Sequence, residues 1–495
     1  MRYHQALHEV PLIFEGCDRP KDEEPFDPTL GGYLPMDMVR EDLGIPDLTE
    51  RDVVKHFVNL SQMNFGVDNG MYPLGSCTMK YNPKICDEIV TWKTVADMHP
   101  LQDPSTIQGS LRLMYELERL LCEIAGMDAV SLQPAAGAQG EFTGVHIVRA
   151  FHEANGEVRK EVIVPDSAHG TNPASAAMVG YDVLELPSRE GLVDTEALKA
   201  AVSKDTAAFM LTNPNTLGLF EKNVKEVAGI IHDSGSLLYY DGANLNAIMG
   251  KTSPGKMDFD IVHFNLHKTF ATPHGGGGPG AGPVGVKGKL EEFLPVPRIL
   301  EQNGQFSLDY DRPKSIGKVR AFFGNYAVLV RAYAFIRMNG GNGLTSISEN
   351  AVLNSNYLKE RLKDDFELPY GDLRKHEFVL SGRPLKAKGL RTIDFAKRLL
   401  DHGFHAPTIY FPLVVDEAIM IEPTESETKE TLDRFADSCK AILKEDPELL
   451  RTAPHNTARR RLNEAKAARD MIFSWRDYLE KKEAPARQET GVTRA

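Results

Sequence analysis

The feature that most constrains this chain is a repeated alternation of short apolar runs with helical stretches between residues 128 and 290. The runs are rich in residues that favour β-strands and cover residues 129–132, 162–165, 182–186, 208–212, 237–240, 261–264 and 283–286. Such alternation builds βαβ units, so it predicts an α/β fold with a mainly parallel seven-stranded sheet and helices on both faces. Ligands bind these sheets at the carboxyl ends of the strands, where chemistry is therefore expected.

The rest of the chain differs in pattern and sets the expected domain organisation. Residues 1–105 are rich in Pro, Gly and Asn and are expected to form an irregular arm that holds an active-site loop. Residues 106–340 are predicted to form the large, ligand-binding α/β domain. Residues 341–480 are predicted to form a smaller α+β domain with a helix over about 458–478, and residues 481–495 a frayed tail.

The composition argues against several classes of function. The 495 residues include 70 acidic and 57 basic side chains, a net charge of −13, and this balance argues against non-specific nucleic-acid binding. The five cysteines form no CxxC pair, so neither a zinc ribbon nor a disulfide scaffold is expected, and no metal site is predicted. The N-terminus lacks the apolar core of a signal peptide and no stretch is suited to span a membrane, so a cytoplasmic protein is expected.

The segment 258–286 brings a lysine to the end of a predicted strand. That strand delivers Asn265, His267 and Lys268, and a glycine-rich loop over residues 275–278 follows. Most lysines are ordinary surface residues, but a lysine among ligand-binding strand ends can form an imine with an aldehyde cofactor. Glycines, which lack side chains, allow the backbone to approach a flat ligand or a phosphate closely.

A carboxylate ends the preceding strand. Asp241 lies 27 residues before Lys268, which is enough for one connection and a strand, so two neighbouring strands could present an acid and an amine to one ligand. Pyridoxal phosphate (PLP) needs that pair, because the lysine holds its aldehyde and the carboxylate keeps its ring nitrogen protonated. A lone Asp at a strand end more often caps a helix or forms a turn, so the assignment depends on the pairing.

Three further strand ends carry small or polar residues. Gly137, Ala138 and Gln139 open a helix, where backbone N–H groups and the helix dipole favour a phosphate; a tight turn is the alternative. His169 follows another strand and is placed to stack on a cofactor ring, although a single histidine is more often structural. A further strand ends in two polar residues within reach of a ligand hydroxyl, Asn213 and Thr216.

Five motifs, in order along the chain, make it resemble a known family. They are MNFGVDNGMYPLGSCTMKYNP, SAHGTNPASA, TNPNTLG, DGANLNAI and FNLHKTFATPHGGGGPGAGP. Together they are similar to the P protein of the glycine cleavage system, from about residue 59 to residue 476. Some members of that family carry two homologous halves in one chain, and others separate them into two subunits. This chain resembles the separate second subunit, which keeps the PLP lysine.

The resemblance implies a fold type I PLP enzyme that acts as glycine dehydrogenase (decarboxylating). It implies that Lys268 carries the cofactor as a Schiff base, that Asp241 pairs with the ring nitrogen and that His169 stacks on the ring. It also implies that Gly137, Ala138 and Gln139 correspond to the phosphate-binding loop of the family. Such an enzyme releases CO2 from glycine and transfers the aminomethyl group to the lipoyl disulfide of the H protein.

The resemblance also implies partners. These are a first P-protein subunit, with two copies of each subunit in the assembly, the lipoylated H protein, and a functional link to the T and L proteins. Two alternatives stay open: a non-catalytic scaffold subunit that supports a paralogue, and another fold type I PLP enzyme such as a desulfurase or an aldolase. The presence of both Lys268 and Asp241 favours the decarboxylase over the scaffold.

The loop over residues 63–84 is predicted to meet the substrate. An arginine that gripped the glycine carboxylate would stabilise the ground state of a group that loses its charge, and would so raise the barrier. This loop contains no arginine, and it offers four neutral donors, Asn64, Ser76, Thr78 and Asn82. Lys80 is expected to point away from the carboxylate or to form a structural ion pair. The alternative is a loop that only packs against the partner subunit.

Overall fold

The computed structural model describes residues 5–15, 35–38, 46, 48–275, 280–371 and 373–483. The α-helices among them are α1 Glu50–Gln62, α2 Lys84–Val90, α3 Lys93–Ala96, α4 Gln108–Ala125, α5 Gly137–Ala154, α6 Thr171–Val179, α7 Thr195–Ala201, α8 Val224–Asp233, α9 Leu266–Thr269, α10 Tyr326–Leu362, α11 Thr392–Asp401, α12 Lys429–Ile442, α13 Pro447–Thr452, α14 Glu464–Arg469 and α15 Trp475–Glu483. The strands are β1 Ala129–Ser131, β2 Glu161–Pro165, β3 Asp182–Leu186, β4 Ser188–Arg189, β5 Leu192–Val193, β6 Thr206–Thr212, β7 Leu237–Gly242, β8 Ile261–Phe264, β9 Val284–Val286, β10 Arg298–Gln302, β11 Gln305–Asp309, β12 Phe378–Ser381, β13 Thr408–Ile409 and β14 Ala418–Ile421. Among the described residues, no helix combines the length and the apolar content that a membrane span needs.

Seven strands form one sheet in the order β1-β9-β8-β7-β6-β2-β3. The five strands from β8 to β3 run parallel, and β9 runs antiparallel to both of its neighbours. All seven predicted runs are strands of this sheet, so the mainly parallel α/β architecture is confirmed. Strands β6 and β7 are buried along almost their whole length, because helices cover both faces, and they therefore have continuous rather than alternating apolar sequences.

The helices on the two faces of this sheet build two apolar clusters, and together they form the large domain. On one face, α4, α8 and the first part of α10 pack through buried side chains such as Leu117, Val227 and Leu329. On the other face, α5 and α6 pack through Ile147 and Ala176. Burial of one such aliphatic side chain larger than alanine stabilises the fold by about 1.5–3 kcal/mol. The sheet is thereby fixed between two packed layers, and its strand ends form a rigid platform.

A small domain is built around the strands β12, β14 and β13, which form an antiparallel sheet in that order. Their buried face packs with α11, α12 and the last part of α10 through Phe378, Phe395 and Phe435. The long helix α10 contacts both domains, and its helical geometry is broken at Gly340, which has φ 60° and ψ −177°. That conformation is essentially restricted to glycine, so Gly340 allows the change of direction between the two parts of α10.

Two sequence expectations are wrong in part. The N-terminal arm is not irregular throughout, because α1–α3 lie within it; the side chain of Thr49 accepts a hydrogen bond from the N–H of Asp52 and caps α1. The predicted helix over 458–478 is interrupted, and only α14 and α15 are helical there. Arg461 bonds the carbonyl of Ala453 and the carboxylate of Asp394, and these bonds hold a non-helical segment against the small domain. Residues 484–495 of the predicted tail lie outside the described residues.

Candidate active site

A cavity opens at the carboxyl ends of the parallel strands, between the large domain and the small domain. It is lined by Ser76, Gly137, Ala138, Glu141, His169, Thr171, Thr212, Pro214, Thr216, Asp241, Ala243, Asn244, Asn265, His267, Lys268, His376 and Glu377. The cavity therefore lies where a sheet of this kind is expected to bind its ligand. Among the residues proposed from the sequence as site residues, those that line it are Lys268, Asp241, His169, Gly137, Ala138, Thr216 and Ser76.

Two neighbouring strands bring Lys268 and Asp241 to this cavity. Asp241 lies near the end of β7, and Lys268 lies on the short helix α9, which begins after Asn265 at the end of β8. The strands β7 and β8 pair in parallel, with Asp241 opposite His263, so their carboxyl ends meet at one edge. The acid and the amine therefore border the same space.

Asp241 is a buried carboxylate with several partners. It accepts hydrogen bonds from the N–H of Ala243 at 3.0 Å and from Nδ2 of Asn172 at 3.1 Å, and Nε2 of His263 lies 3.4 Å away. Burial works to raise the pKa of Asp241, but His263, these hydrogen bonds and the charge of Lys268 outweigh burial and lower the pKa below its ordinary value. The group is therefore ionised at neutral pH and suited to pair with a protonated ring nitrogen.

A second buried acid, Glu141 of α5, lies beside Asp241, and no sequence motif singles it out. Nδ2 of Asn172 donates to Oε2 of Glu141 and to Oδ2 of Asp241, both at 3.1 Å, and Thr171 donates to Oε1 of Glu141 at 2.9 Å. Burial and the neighbouring charge of Asp241 raise the pKa of Glu141 to about 8. At neutral pH the pair therefore carries one proton, on Glu141, and one charge, on Asp241. The sequence does offer one clue to Glu141, because it lies four residues after Gly137 and therefore on the same face of α5.

His169 borders the cavity between β2 and α6. Its Nδ1 lies 3.0 Å from the hydroxyl of Thr171, which in turn bonds Glu141. The ring of Phe411 meets the imidazole edge-on, with the ring centres 5.6 Å apart. Burial lowers the pKa of His169, so the imidazole is neutral at pH 7 and suited to contact a flat ring.

The start of α5 has the properties of a phosphate cradle. Gly137 and Ala138 line the cavity in the first turn, where N–H groups lack partners within the helix and the helix dipole favours negative charge. A Cβ on Gly137 would lie 2.3 Å from Oδ1 of Asn265, so any larger residue would require the Asn265 side chain to move. The cradle, the Lys268 amine and the ionised Asp241 together fit PLP, which carries a phosphate, an aldehyde and a ring nitrogen.

Two of the predicted cofactor ligands, Gln139 and Asn213, are not among the residues that line the cavity, and their side chains bond the surrounding backbone. Gln139 accepts a hydrogen bond from the N–H of Ala135 at 2.7 Å and donates one to the carbonyl of Val319 at 2.9 Å. Asn213 is fully buried and accepts a hydrogen bond from the N–H of Glu221 at 2.9 Å. Buried backbone groups need such partners, and these amides supply them. Thr216 lines the cavity while its hydroxyl donates to a backbone carbonyl at 2.7 Å. Residues 276–279 of the glycine-rich loop lie outside the described residues.

The loop over residues 63–84 contacts both domains and reaches the cavity at Ser76. The hydroxyl of Thr78 is turned to the small domain, where it donates to Oε1 of Glu422 at 2.7 Å. Lys80 is 3% exposed and pairs with Glu425 at 2.8 Å, so the expected structural ion pair is confirmed. The loop therefore joins the domains as well as bordering the site.

The other donors predicted in this loop are engaged away from the cavity. Asn64 lies just after α1 and donates to the carbonyl of Leu60 at 3.2 Å. The amide of Asn82 lies against the backbone carbonyl of Ala271. Of the four predicted neutral donors, Ser76 lines the cavity, whereas Asn64, Thr78 and Asn82 bond other parts of the described chain. Their contact with the substrate stays a prediction.

The small domain contributes two cavity residues that sequence analysis did not single out, His376 and Glu377. They directly precede β12, and the sequence pattern does not indicate that their side chains face the cavity. Oε2 of Glu377 accepts the N–H of Ser76 at 2.8 Å. The loop and the small domain therefore meet at the wall of the cavity.

Known proteins are similar to this chain over most of its length. The family model described as Glycine cleavage system P-protein matches residues 38–303, and that described as Glycine dehydrogenase, C-terminal domain matches residues 347–466. A protein of Caldanaerobacter subterraneus subsp. tengcongensis named probable glycine dehydrogenase (decarboxylating) subunit 2 is 58% identical over 452 residues, which are 90% of this chain and 93% of that protein. A protein of the same name from Pyrococcus abyssi is 57% identical over 498 residues, 97% of this chain and 99% of that protein.

Solved structures share the fold. The crystal structure of a glycine decarboxylase (P-protein) of the glycine cleavage system, in inhibitor-bound form, superposes with a TM-score of 0.70 at 20% identity and covers 83% of this chain and 94% of that chain. Glutamate decarboxylase of Lactobacillus brevis superposes with a TM-score of 0.65 at 12% identity and covers 82% and 95% of the two chains. At such identities the likeness establishes the fold alone, which is that of the fold type I PLP enzymes.

Proposed function

This chain belongs to the P-protein family of the glycine cleavage system, and from that premise we propose that it is the catalytic subunit. Its cofactor is PLP, and it is an enzyme of the glycine dehydrogenase (decarboxylating) class. In the proposed reaction it decarboxylates glycine and passes the aminomethyl group to the lipoyl disulfide of the H protein. The observation that supports this role most is that Lys268 and Asp241 border one cavity.

Each group at the large-domain side of the cavity has a proposed task toward the cofactor. The amine of Lys268 would hold the aldehyde, and the carboxylate of Asp241 would hold the proton of the ring nitrogen. The neutral imidazole of His169 would contact the ring, and the N–H groups of Gly137 and Ala138 would hold the phosphate. When bound, the protonated ring supplies a sink for the electrons released as the carboxylate leaves.

The bond changes of the proposed reaction balance with glycine, the lipoyl disulfide and one proton from solvent. The bond between the glycine Cα and its carboxyl carbon breaks, CO2 leaves, and the electron pair stays with the aminomethyl carbon. That carbon forms a C–S bond as the lipoyl S–S bond breaks, and the second sulfur leaves as a thiolate that takes a proton. The protein must orient the breaking bond and exclude water, which a cavity walled by two domains and the loop at Ser76 is suited to do.

The name subunit 2 that the relatives carry implies a first subunit, so this chain is one part of a two-subunit P protein. We extend the proposal to two copies of each subunit, to docking of the lipoylated H protein, and to a functional link with the T and L proteins. A cytoplasmic location is part of the same proposal.

Exchange of labelled bicarbonate into the carboxyl group of glycine tests this function. The wild-type chain with its partner subunit and lipoylated H protein should catalyse the exchange, and omission of either should reduce it. Lys268→Ala should abolish it while the fold survives, whereas Lys314→Ala, at an exposed lysine paired with Glu292, is the matched control and should retain it. No exchange in the complete mixture, together with a colourless protein that gains no absorption band with PLP, would instead support a scaffold subunit.

A further inference from the structure

The small-domain wall of the cavity contains two neighbouring buried acids, Glu377 and Glu422. Glu377 lines the cavity and is 4% exposed, and Glu422 is 1% exposed. A carboxylate oxygen of Glu377, a carboxylate oxygen of Glu422 and a ring nitrogen of His376 lie within 4.8 Å of one another. Two carboxyl groups this close in a buried place disfavour a second negative charge, so one of them holds a proton at neutral pH.

Hydrogen bonds decide which acid carries the charge. Glu422 accepts three of them, from the N–H and the hydroxyl of Thr78 at 3.0 and 2.7 Å and from Nδ2 of Asn244 at 2.7 Å. Within the described residues, Glu377 accepts one, from the N–H of Ser76 at 2.8 Å. Donors stabilise the ionised form, so the charge belongs to Glu422 and the proton to Glu377. Burial and the charge of Glu422 accordingly raise the pKa of Glu377 well above its ordinary value.

Among the described residues, the charge of Lys268 works against this arrangement, but it lowers the pKa of Glu377 by less than burial and the charge of Glu422 raise it. Within the described part of the chain, the basic group at ion-pair distance from Glu377 is the imidazole of His376, at 3.6 Å, and burial lowers the pKa of that imidazole. The described residues that line the cavity include no arginine. A carboxylate that enters from this side therefore meets a neutral O–H group and no guanidinium.

We propose that the protonated carboxyl group of Glu377 donates the hydrogen bond that receives the carboxylate of the amino-acid substrate, and that Glu422 is a positioning residue that keeps the proton there. The inference rests on the proposed decarboxylation of glycine. A neutral donor orients the substrate carboxylate without the ground-state stabilisation that an arginine would give. The negative charge of Glu422 repels that carboxylate, and the repulsion is relieved when the carboxylate leaves as CO2. Enzymes do use buried carboxylic acids, kept neutral, as hydrogen-bond donors.

Glycine and methylamine test the proposal, because they share an amine and differ in the carboxylate. The PLP-loaded assembly of this chain with its partner subunit is titrated with each, and Kd is read from the absorption of the cofactor. Glu377→Ala should reduce the preference for glycine over methylamine by on the order of 10- to 100-fold, the effect of one hydrogen bond to a charged group. Glu377→Gln keeps an N–H donor and should retain most of the preference. Glu367→Ala, at an acid paired with Arg383 outside the cavity, is the matched control.

The pH profile distinguishes a proton on Glu377 from a structural role. The groups that face Glu377 are Glu422, His376, Lys268 and Cys77. The glycine preference of the wild type should be lost as the pH rises through the raised pKa of Glu377. Glu377→Gln has no such proton, so its profile corrects for titration of the ligand amines and of the other groups. Glu422→Gln removes the charge that favours the proton and should move the wild-type midpoint to lower pH.

An unchanged glycine preference in Glu377→Ala, or a wild-type pH profile that matches that of Glu377→Gln, overturns the inference. If Glu377→Ala loses the cofactor band because it does not fold, the Gln variant and the pH profile still decide. If neither ligand changes the cofactor absorption of the wild type, the proposed function fails and the inference falls with it. A wild type that binds both ligands with equal affinity overturns the inference alone.

Discussion

Replacement of Asp241 with Asn tests the buried acid network at its centre. Both carboxylate oxygens accept hydrogen bonds, Oδ1 from the N–H of Ala243 and Oδ2 from the amide of Asn172. An asparagine amide has one oxygen and one NH2 group, so in either orientation its NH2 group faces a donor. One buried donor then loses its acceptor, and we expect the free energy of unfolding to fall by about 1–3 kcal/mol.

The same substitution removes the charge that holds the proton of the cofactor ring. We expect kcat for glycine-dependent bicarbonate exchange to fall, while KM and the affinity for PLP change less, because the electron sink rather than binding is weakened. Asn172→Ala is the control, because it removes a hydrogen bond to Asp241 at 3.1 Å and keeps the charge. A kcat near that of the wild type in Asp241→Asn would refute the role of the carboxylate. Unchanged stability in chemical denaturation would refute the account of its hydrogen bonds.

Other expected outcomes follow from single contacts. Thr78→Val removes a 2.7 Å hydrogen bond to the charged Glu422 and should lower the free energy of unfolding by about 1.5–3 kcal/mol, measured by chemical denaturation; no loss would contradict the tie between loop and small domain. Gly75→Ala places a Cβ 2.1 Å from Cγ and 2.7 Å from the carbonyl oxygen of Met420, so the loop must shift and KM for glycine should rise; an unchanged KM would show that the loop does not shape the site. In the folded chain Glu141 keeps its proton up to about pH 8, whereas the unfolded chain releases it near pH 4.5. The wild type should therefore lose stability relative to Glu141→Gln as the pH rises from 4.5 to 8. Parallel curves of Tm against pH for the two proteins would rule this out.

The sequence predicts a site residue well when a strand positions it. Lys268 and Asp241 stand at or just after the ends of apolar runs, and the place of those runs is readable from local composition alone. Six of the seven strands of the main sheet are buried, and their continuous apolar sequences made them predictable for the same reason. The edge strand β3 is mostly exposed and was predicted from its β-favouring residues instead.

Residues that depend on packing between elements were not predictable from one sequence. Glu141 reaches the cavity from a helix, and Glu377 reaches it from another domain, so their roles follow from how those elements pack. Asn213 directly follows a strand, in a position similar to that of Asp241. Its side chain nevertheless accepts a hydrogen bond from a buried backbone N–H, and that N–H needs a partner only once the chain has folded. Arg461 lies in the non-helical part of a predicted helix and donates hydrogen bonds to the carbonyl of Ala453 and to the carboxylate of Asp394. These contacts form only in the folded chain.

The lysine that carries the cofactor can be identified chemically. Borohydride reduction of the PLP-loaded protein converts the Schiff base to a stable secondary amine, and proteolysis with mass spectrometry then identifies the modified lysine. The label is expected on Lys268, and Lys268→Ala should remove it. A label on another lysine, such as the buried Lys80, or no label on a protein that retains bound PLP, would contradict the assignment.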